Sequence, residues 1–174
     1  MNQFSKNMFN MYAEKGKHWI SQLTILIGNL EILWGLSELK PVDNLSYNYV
    51  LKGTQNTRPI ILKLSLDIDG LKKESRSLNA FSGFGCVRVL AEIDGALLIE
   101  CAVPGTSLKS YFPSKEVLAT QIACHLIKTL HQRGVVKDFF PHMNDLLKIL
   151  DQEWNIADNI LEKAVSGHFI WRDV

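Results

Sequence analysis

The chain has 174 residues, 47% of them hydrophobic and 21% charged, with a formal net charge of +1. That is enough for one ordinary soluble domain with a substantial core, and so small a charge gives no electrostatic case for nucleic acid or an anionic membrane as partner. Its three cysteines, Cys86, Cys101 and Cys124, are widely spaced, lack a CxxC and sit in apolar contexts, which argues against a disulfide framework or a metal site and for buried free thiols in a reducing cytoplasm.

Met1 to Tyr12 has no continuous apolar core, so no signal peptide is expected there. Trp19, Leu23, Leu26, Ile27, Leu30, Leu33 and Trp34 recur at three- and four-residue steps and predict a helix with one apolar face. Ser21, Gln22, Thr24, Asn29 and Glu31 make that stretch too polar to span a membrane. Gly35 ends it and Pro41 prevents its renewal.

From Leu45 the pattern changes to strands. Tyr47 to Leu51 and Ile60 to Leu66 are rich in strand formers, and Gly53 to Pro59 between them reads as a loose hairpin loop. Asp67 to Gly70 breaks the second strand and can cap a helix over Leu71 to Phe81. Val87 to Glu92 and Ala96 to Cys101 flank Asp94-Gly95, a strong short hairpin signal. Beyond Pro104-Gly105 the chain turns helical, with Ser114 as a cap and Val117, Leu118, Ile122, Leu126, Ile127 and Leu130 as the apolar positions. Shorter helices are predicted over Met143 to Leu150 and Ile156 to Val165.

One residue in this pattern points to chemistry. Lys63 interrupts the apolar run Ile60-Ile61-Leu62-Lys63-Leu64, where an ammonium group is costly to desolvate without a charged partner. Glu74, on the following helix, can be that partner. A strand lysine paired to a helix glutamate is how kinase-type folds grip nucleotide phosphates. The alternative is a lysine on an edge strand whose head reaches water. Gly83-Phe84-Gly85 lacks the third glycine of a dinucleotide fingerprint and follows a helix, so it reads as a connection. His125 and His131 are six apart rather than at the metal-binding step of four.

Several segments in register carry a resemblance. Trp34-Gly35-Leu36, Leu45 to Val50, Ile61-Leu62-Lys63-Leu64-Ser65, Lys73-Glu74, Val87 to Leu90, and Ala96 to Glu100 followed by Pro104-Gly105-Thr106-Ser107-Leu108 resemble the amino-terminal lobe of the aminoglycoside/hydroxyurea phosphotransferase family. The resemblance implies an α+β fold with a protein-kinase-like amino-terminal lobe over residues 1–103, preceding helices included, and a partial helical carboxy-terminal lobe over 104–174. It implies ATP and magnesium as cofactors, with Lys63 on the α- and β-phosphates and Glu74 holding Lys63. Ser46, Tyr47 and Asn48 would lie over the phosphates, and Glu100, Cys101 and Ala102 would form the adenine-contacting hinge. The acceptor would be a hydroxyl of an aminoglycoside or of a hydroxyurea-like small molecule.

The chain departs from the family pattern in its second half. No His-Gly-Asp catalytic loop occurs; His142-Met143-Asn144-Asp145 lacks the spacing, and Trp171-Arg172-Asp173-Val174 supplies no magnesium ligands after its Arg-Asp step. The expectation is a family domain cut before its catalytic centre, inactive in transfer alone, or a non-catalytic protein that kept the lobe as a scaffold or a nucleotide-binding module. Helices that lack their usual partners would leave Val117, Leu118, Leu146, Leu147, Ile149 and Leu150 partly bare, so a homodimer, or repacking of the helical half onto the sheet, is expected.

Overall fold

A computed structural model of the chain describes residues 3–43 and 45–133. It opens with helix α1, Gln3–Trp34, interrupted at Ala13, where φ is 49° and ψ −130°. The segment before Ala13 was not predicted. It is helical because Phe4 and Met8, one turn apart, are both buried and anchor it to the rest of the fold. Gly35, with φ 61°, ends the helix, and Gln55 Nε2 donates to the Trp34 carbonyl at 2.7 Å, satisfying one of its last free acceptors.

Among the described residues five strands follow in one antiparallel sheet: β1 (Leu36–Pro41), β2 (Tyr49–Gln55), β3 (Arg58–Leu64), β4 (Val89–Ile93) and β5 (Ala96–Glu100), in the order β1-β2-β3-β5-β4. Strand β1 corrects the sequence reading, which gave no strand before Tyr47. It is an edge strand with Leu36 as its one buried residue, so its alternation is faint, and Pro41 is tolerated at an edge. A register shift between Ser37 and Lys40, with Glu38 at φ 56°, blurs it further.

The β2–β3 loop is tight rather than loose. Asn56 and Thr57, at φ 47° and 68°, turn the chain between Gln55 and Arg58, the backbone geometry that two-residue hairpins favour. Gly53 belongs to β2 instead of the loop. A Cβ there would lie 2.5 Å from Leu39 Cδ2 and 2.8 Å from the Ser37 carbonyl oxygen, so the distorted β1 edge requires a bare backbone.

Helix α2 (Ile68–Ala80) joins β3 to β4. Asp67 caps it by accepting from the Gly70 N–H at 2.9 Å. A short 3-10 turn, Leu108–Tyr111, leads to α3 (Glu116–His131). The expected cap at Ser114 does not form; Lys115 occupies the cap position and makes no side-chain hydrogen bond. Of α3 only Ala119 is buried, while Val117 is 71% and Ile127 51% exposed. Leu146 to Leu150, the two later predicted helices, His142 to Asp145 and Trp171 to Val174 lie outside the described residues.

The core lies on one face of the sheet. Alternation along β3 sends Ile60, Leu62 and Leu64 to that face, where they meet Leu51, Ala96 and Leu98 from neighbouring strands and Phe4, Met8, Leu23 and Leu30 from α1. Ile61 and Lys63 therefore leave by the opposite face. Burying each large aliphatic side chain contributes on the order of 1.5–3 kcal/mol. Among the described residues no helix is long and apolar enough to cross a membrane.

Candidate functional site around Lys63

Strand β3 is the middle of the five, with β2 on one side and β5 on the other. Lys63 is therefore not on an edge, and the water-reaching alternative for it falls away. Register places Val50 and Leu97 directly beside it, with Ile61 two residues back on the same face. The Lys63 side chain is only 19% exposed, and its ammonium donates to the Glu74 carboxylate on α2 as an ion pair. The helix brings Glu74 there because Leu71, three residues before it, and Ser75, the residue after it, are buried.

The same face carries a second carboxylate. Glu92 stands opposite Leu97 and accepts a hydrogen bond from the Ser75 hydroxyl, which is 1% exposed. Buried hydroxyls are costly without a partner, so this bond fixes α2 to β4 and holds the helix that presents Glu74. Lys40 and Lys52 form a register pair further along this face, both exposed and without an ion-pair partner among the described residues. The face is thus apolar at Val50 and Ile61, with Lys52 directly beside Ile61 and Lys40 next to Lys52.

Ser46, Tyr47 and Asn48 lie in the β1–β2 loop, whose base is closed by the Val42 N–H donating to the Val50 carbonyl at 3.0 Å. Since Val50 is the register partner of Lys63, that loop starts beside the ion pair. Tyr47 is 48% exposed.

Glu100, Cys101 and Ala102 lie where β5 ends. The Glu100 carboxylate is held by Arg88, which donates from Nε at 3.2 Å and from Nη2 at 3.1 Å. The Arg88 side-chain bonds hold the Glu100 carboxyl below the usual carboxylate value, helped by the Arg88 backbone N–H. The Glu100 carboxylate is therefore engaged by Arg88. The Cys101 N–H donates to the Pro59 carbonyl at 3.3 Å, whereas the Ala102 N–H has no partner among the described residues. Gly105 turns the chain away, its φ of 66° and the 2.7 Å approach of a would-be Cβ to the Ala102 carbonyl both requiring glycine.

A cleft of about 550 Å³ adjoins this segment, between Arg58, Pro59, Cys86 and Val87 on one side and Glu100 to Val103 on the other. It does not reach Lys63, so the two ends of the candidate site are not joined by that cavity. None of the three cysteines is fully buried, against the expectation of buried thiols: Cys86 and Cys101 are half-buried and Cys124 is exposed. Among the described residues no group of three or more His, Cys, Asp or Glu could hold a metal ion.

The structure thus brings Lys63 and Glu74 into contact, sets the 46–48 loop at the same end of β2, and puts 100–102 at the far end of β5. The sequence reading missed Val50 and Ile61 as the apolar neighbours of Lys63; the signal was present, since residues at even spacing from a strand lysine share its face. It also missed Asn7, whose amide reaches the Ser46 carbonyl at 3.1 Å across 39 residues, a contact that no local pattern announces. In comparison with known proteins, a family model described as aminoglycoside/hydroxyurea antibiotic resistance kinase matches residues 34–158. No curated protein matches the chain.

Proposed function

The chain belongs to the aminoglycoside/hydroxyurea antibiotic resistance kinase family, and we propose that it forms the ATP-holding lobe of a phosphotransferase acting on a hydroxyl of a small molecule of aminoglycoside or hydroxyurea type. The observation that carries this reading is the Lys63–Glu74 ion pair between a central strand and α2, within a five-stranded sheet of kinase-like order. A half-buried ammonium held in place by a carboxylate is a fixed point charge for phosphate oxygens. In this reading Lys63 contacts the α- and β-phosphates and Glu74 holds Lys63.

Backbone N–H groups of Ser46, Tyr47 and Asn48 would lie over the phosphates, as successive main-chain donors do in anion-binding loops. Val50 and Ile61 would cover the base. The unpartnered Ala102 N–H and the Glu100 carbonyl, with Cys101 between them, would meet the adenine edge. ATP supplies the phosphoryl group when bound; the residues named here bind and orient it. Magnesium would accompany the ATP phosphates; among the described residues no group of three or more His, Cys, Asp or Glu could hold it by itself.

One sequence fact favours a second reading, a nucleotide-binding module without transfer: the 174 residues contain no His-Gly-Asp. The two readings share the binding site and differ in turnover. Titration calorimetry of the protein with magnesium and ATP tests the shared part. Binding that Lys63→Ala weakens at least about ten-fold, the loss of one charge-assisted contact, is the expected result. Equal binding by both proteins would remove Lys63 from the site. Incubation with ATP and an aminoglycoside then separates the readings, since only the first yields a phosphorylated acceptor.

A further inference from the structure

The family match begins at Trp34, so nearly all of α1 lies outside it, yet the first turns of α1 reach the β1–β2 loop. The break at Ala13 folds the segment before it back along the segment after it: a Cβ on Gly16 would run into the Met8 carbonyl group, 2.9 Å from its carbon. Eight residues along an unbroken helix span about 12 Å, so this contact exists only because the chain reverses. Phe4 then packs between Trp19, with ring centroids 6.3 Å apart, and Tyr49 on β2, 5.4 Å away. That packing sets Asn7 beside the loop. Its Nδ2 donates to the Ser46 carbonyl at 3.1 Å, and Gln3 Nε2 donates to Asn7 Oδ1 at 2.8 Å, so the amide is held with its NH2 group toward Ser46.

The bond has a directional consequence. A trans peptide is planar, and its C=O and N–H point in opposite directions. The Ser46–Tyr47 peptide is not among the cis bonds of the chain. Holding the Ser46 carbonyl toward α1 therefore sends the Tyr47 N–H away from α1. Helix α1 packs on the core face of the sheet, and Lys63 leaves by the other face. The Tyr47 N–H has no hydrogen-bond partner among the described residues.

We infer that Asn7 is a positioning residue, which aims the Tyr47 N–H from the β1–β2 loop toward the Lys63 side of the sheet and so pre-orients a phosphate donor. The amino-terminal turns are a brace for the loop, and the inference rests on the nucleotide reading above. Without Asn7 the loop must spend binding free energy on ordering the same peptide.

The test uses the full chain and two variants. Asn7→Ala removes both hydrogen bonds, whereas Asn7→Asp keeps the acceptor for Gln3, loses the donor toward Ser46 and adds a negative charge there, so the alanine variant carries the affinity comparison. Amide hydrogen exchange of residues 45–48 is followed without nucleotide, and the affinity for ATP with magnesium is measured by calorimetry. Both variants should exchange several-fold faster at the loop, and Asn7→Ala should bind about five-fold more weakly, the effect of one ordinary hydrogen bond. Unchanged loop exchange overturns the brace, whatever the affinity. Faster exchange with unchanged affinity overturns the aiming of the Tyr47 N–H. If the unaltered protein binds no ATP, the nucleotide reading fails and the inference with it as a phosphate device, while the exchange data still decide whether Asn7 restrains the loop.

Discussion

Lys63 on β3 and Glu74 on α2, eleven residues apart in the chain, meet as an ion pair on the face of the sheet opposite the core. Their side chains are 19% and 36% exposed, so the pair is neither a solvated surface contact nor a fully desolvated one.

That intermediate burial fixes the expected energetics. Removing one partner leaves the other half-buried and uncompensated, which costs more than the pair itself contributes. Glu74→Gln should therefore destabilise by roughly 1–2 kcal/mol, and the coupling from a double-mutant cycle with Lys63→Met should be about 1 kcal/mol. Urea unfolding of the four proteins measures it. A coupling of zero would mean that the two groups do not interact in solution.

The Arg88–Glu100 pair predicts a dependence on pH. Arg88 holds the Glu100 carboxyl below its ordinary value of 4.5. A carboxylate depressed in the folded state contributes stability that is complete above the ordinary value and lost as pH falls through the folded one. The melting-temperature gap between the unaltered protein and Glu100→Gln should be constant from neutral pH down to about 5 and close at lower pH. A gap that persists undiminished at pH 3 would assign the effect to something other than this charge.

The readable parts of the fold were those where chemistry is local. Asp67 as a helix cap, Asp94-Gly95 as a hairpin turn and the alternation through Lys63 all follow from neighbours in sequence, and all are present. Strand β1 was not readable because an edge strand with one buried residue carries almost no periodicity. The turn at Asn56-Thr57 was mistaken for a longer loop because Gly53, which serves close packing against Leu39, looks like a turn residue. In the site, Lys63 and Glu74 were legible as an unexplained charge and a nearby opposite charge. The Asn7–Ser46 contact was not, since it depends on a chain reversal at Ala13, where no glycine or proline marks it.

Leu62 tests where the core is. It is fully buried and stands between Leu51 and Leu98 in register. Leu62→Ala should cost about 2–5 kcal/mol through lost transfer energy and the cavity left behind. Ile127→Ala, at a position 51% exposed, should stay within about 0.5 kcal/mol. Denaturant midpoints of the two variants report the difference, and similar losses would mean that α3 is covered in solution.

Two glycines of α1 should respond to the same substitution with opposite signs. Gly28 has nothing within 4 Å of a would-be Cβ, so Gly28→Ala removes only the entropic cost of a helical glycine and should stabilise by about 0.5–1 kcal/mol. At Gly16 the added methyl would meet the Met8 backbone, with the carbonyl carbon at 2.9 Å and its oxygen closer still. Main chain cannot yield as a side-chain tip does, so Gly16→Ala must push the first segment off the second and weaken the burial of Phe4 and Met8. A loss of about 1–3 kcal/mol follows, the usual range for an overpacked site. Thermal melts of the two variants decide it. If Gly16→Ala stabilises as Gly28→Ala does, the chain does not reverse at Ala13, and Asn7 has no route to Ser46.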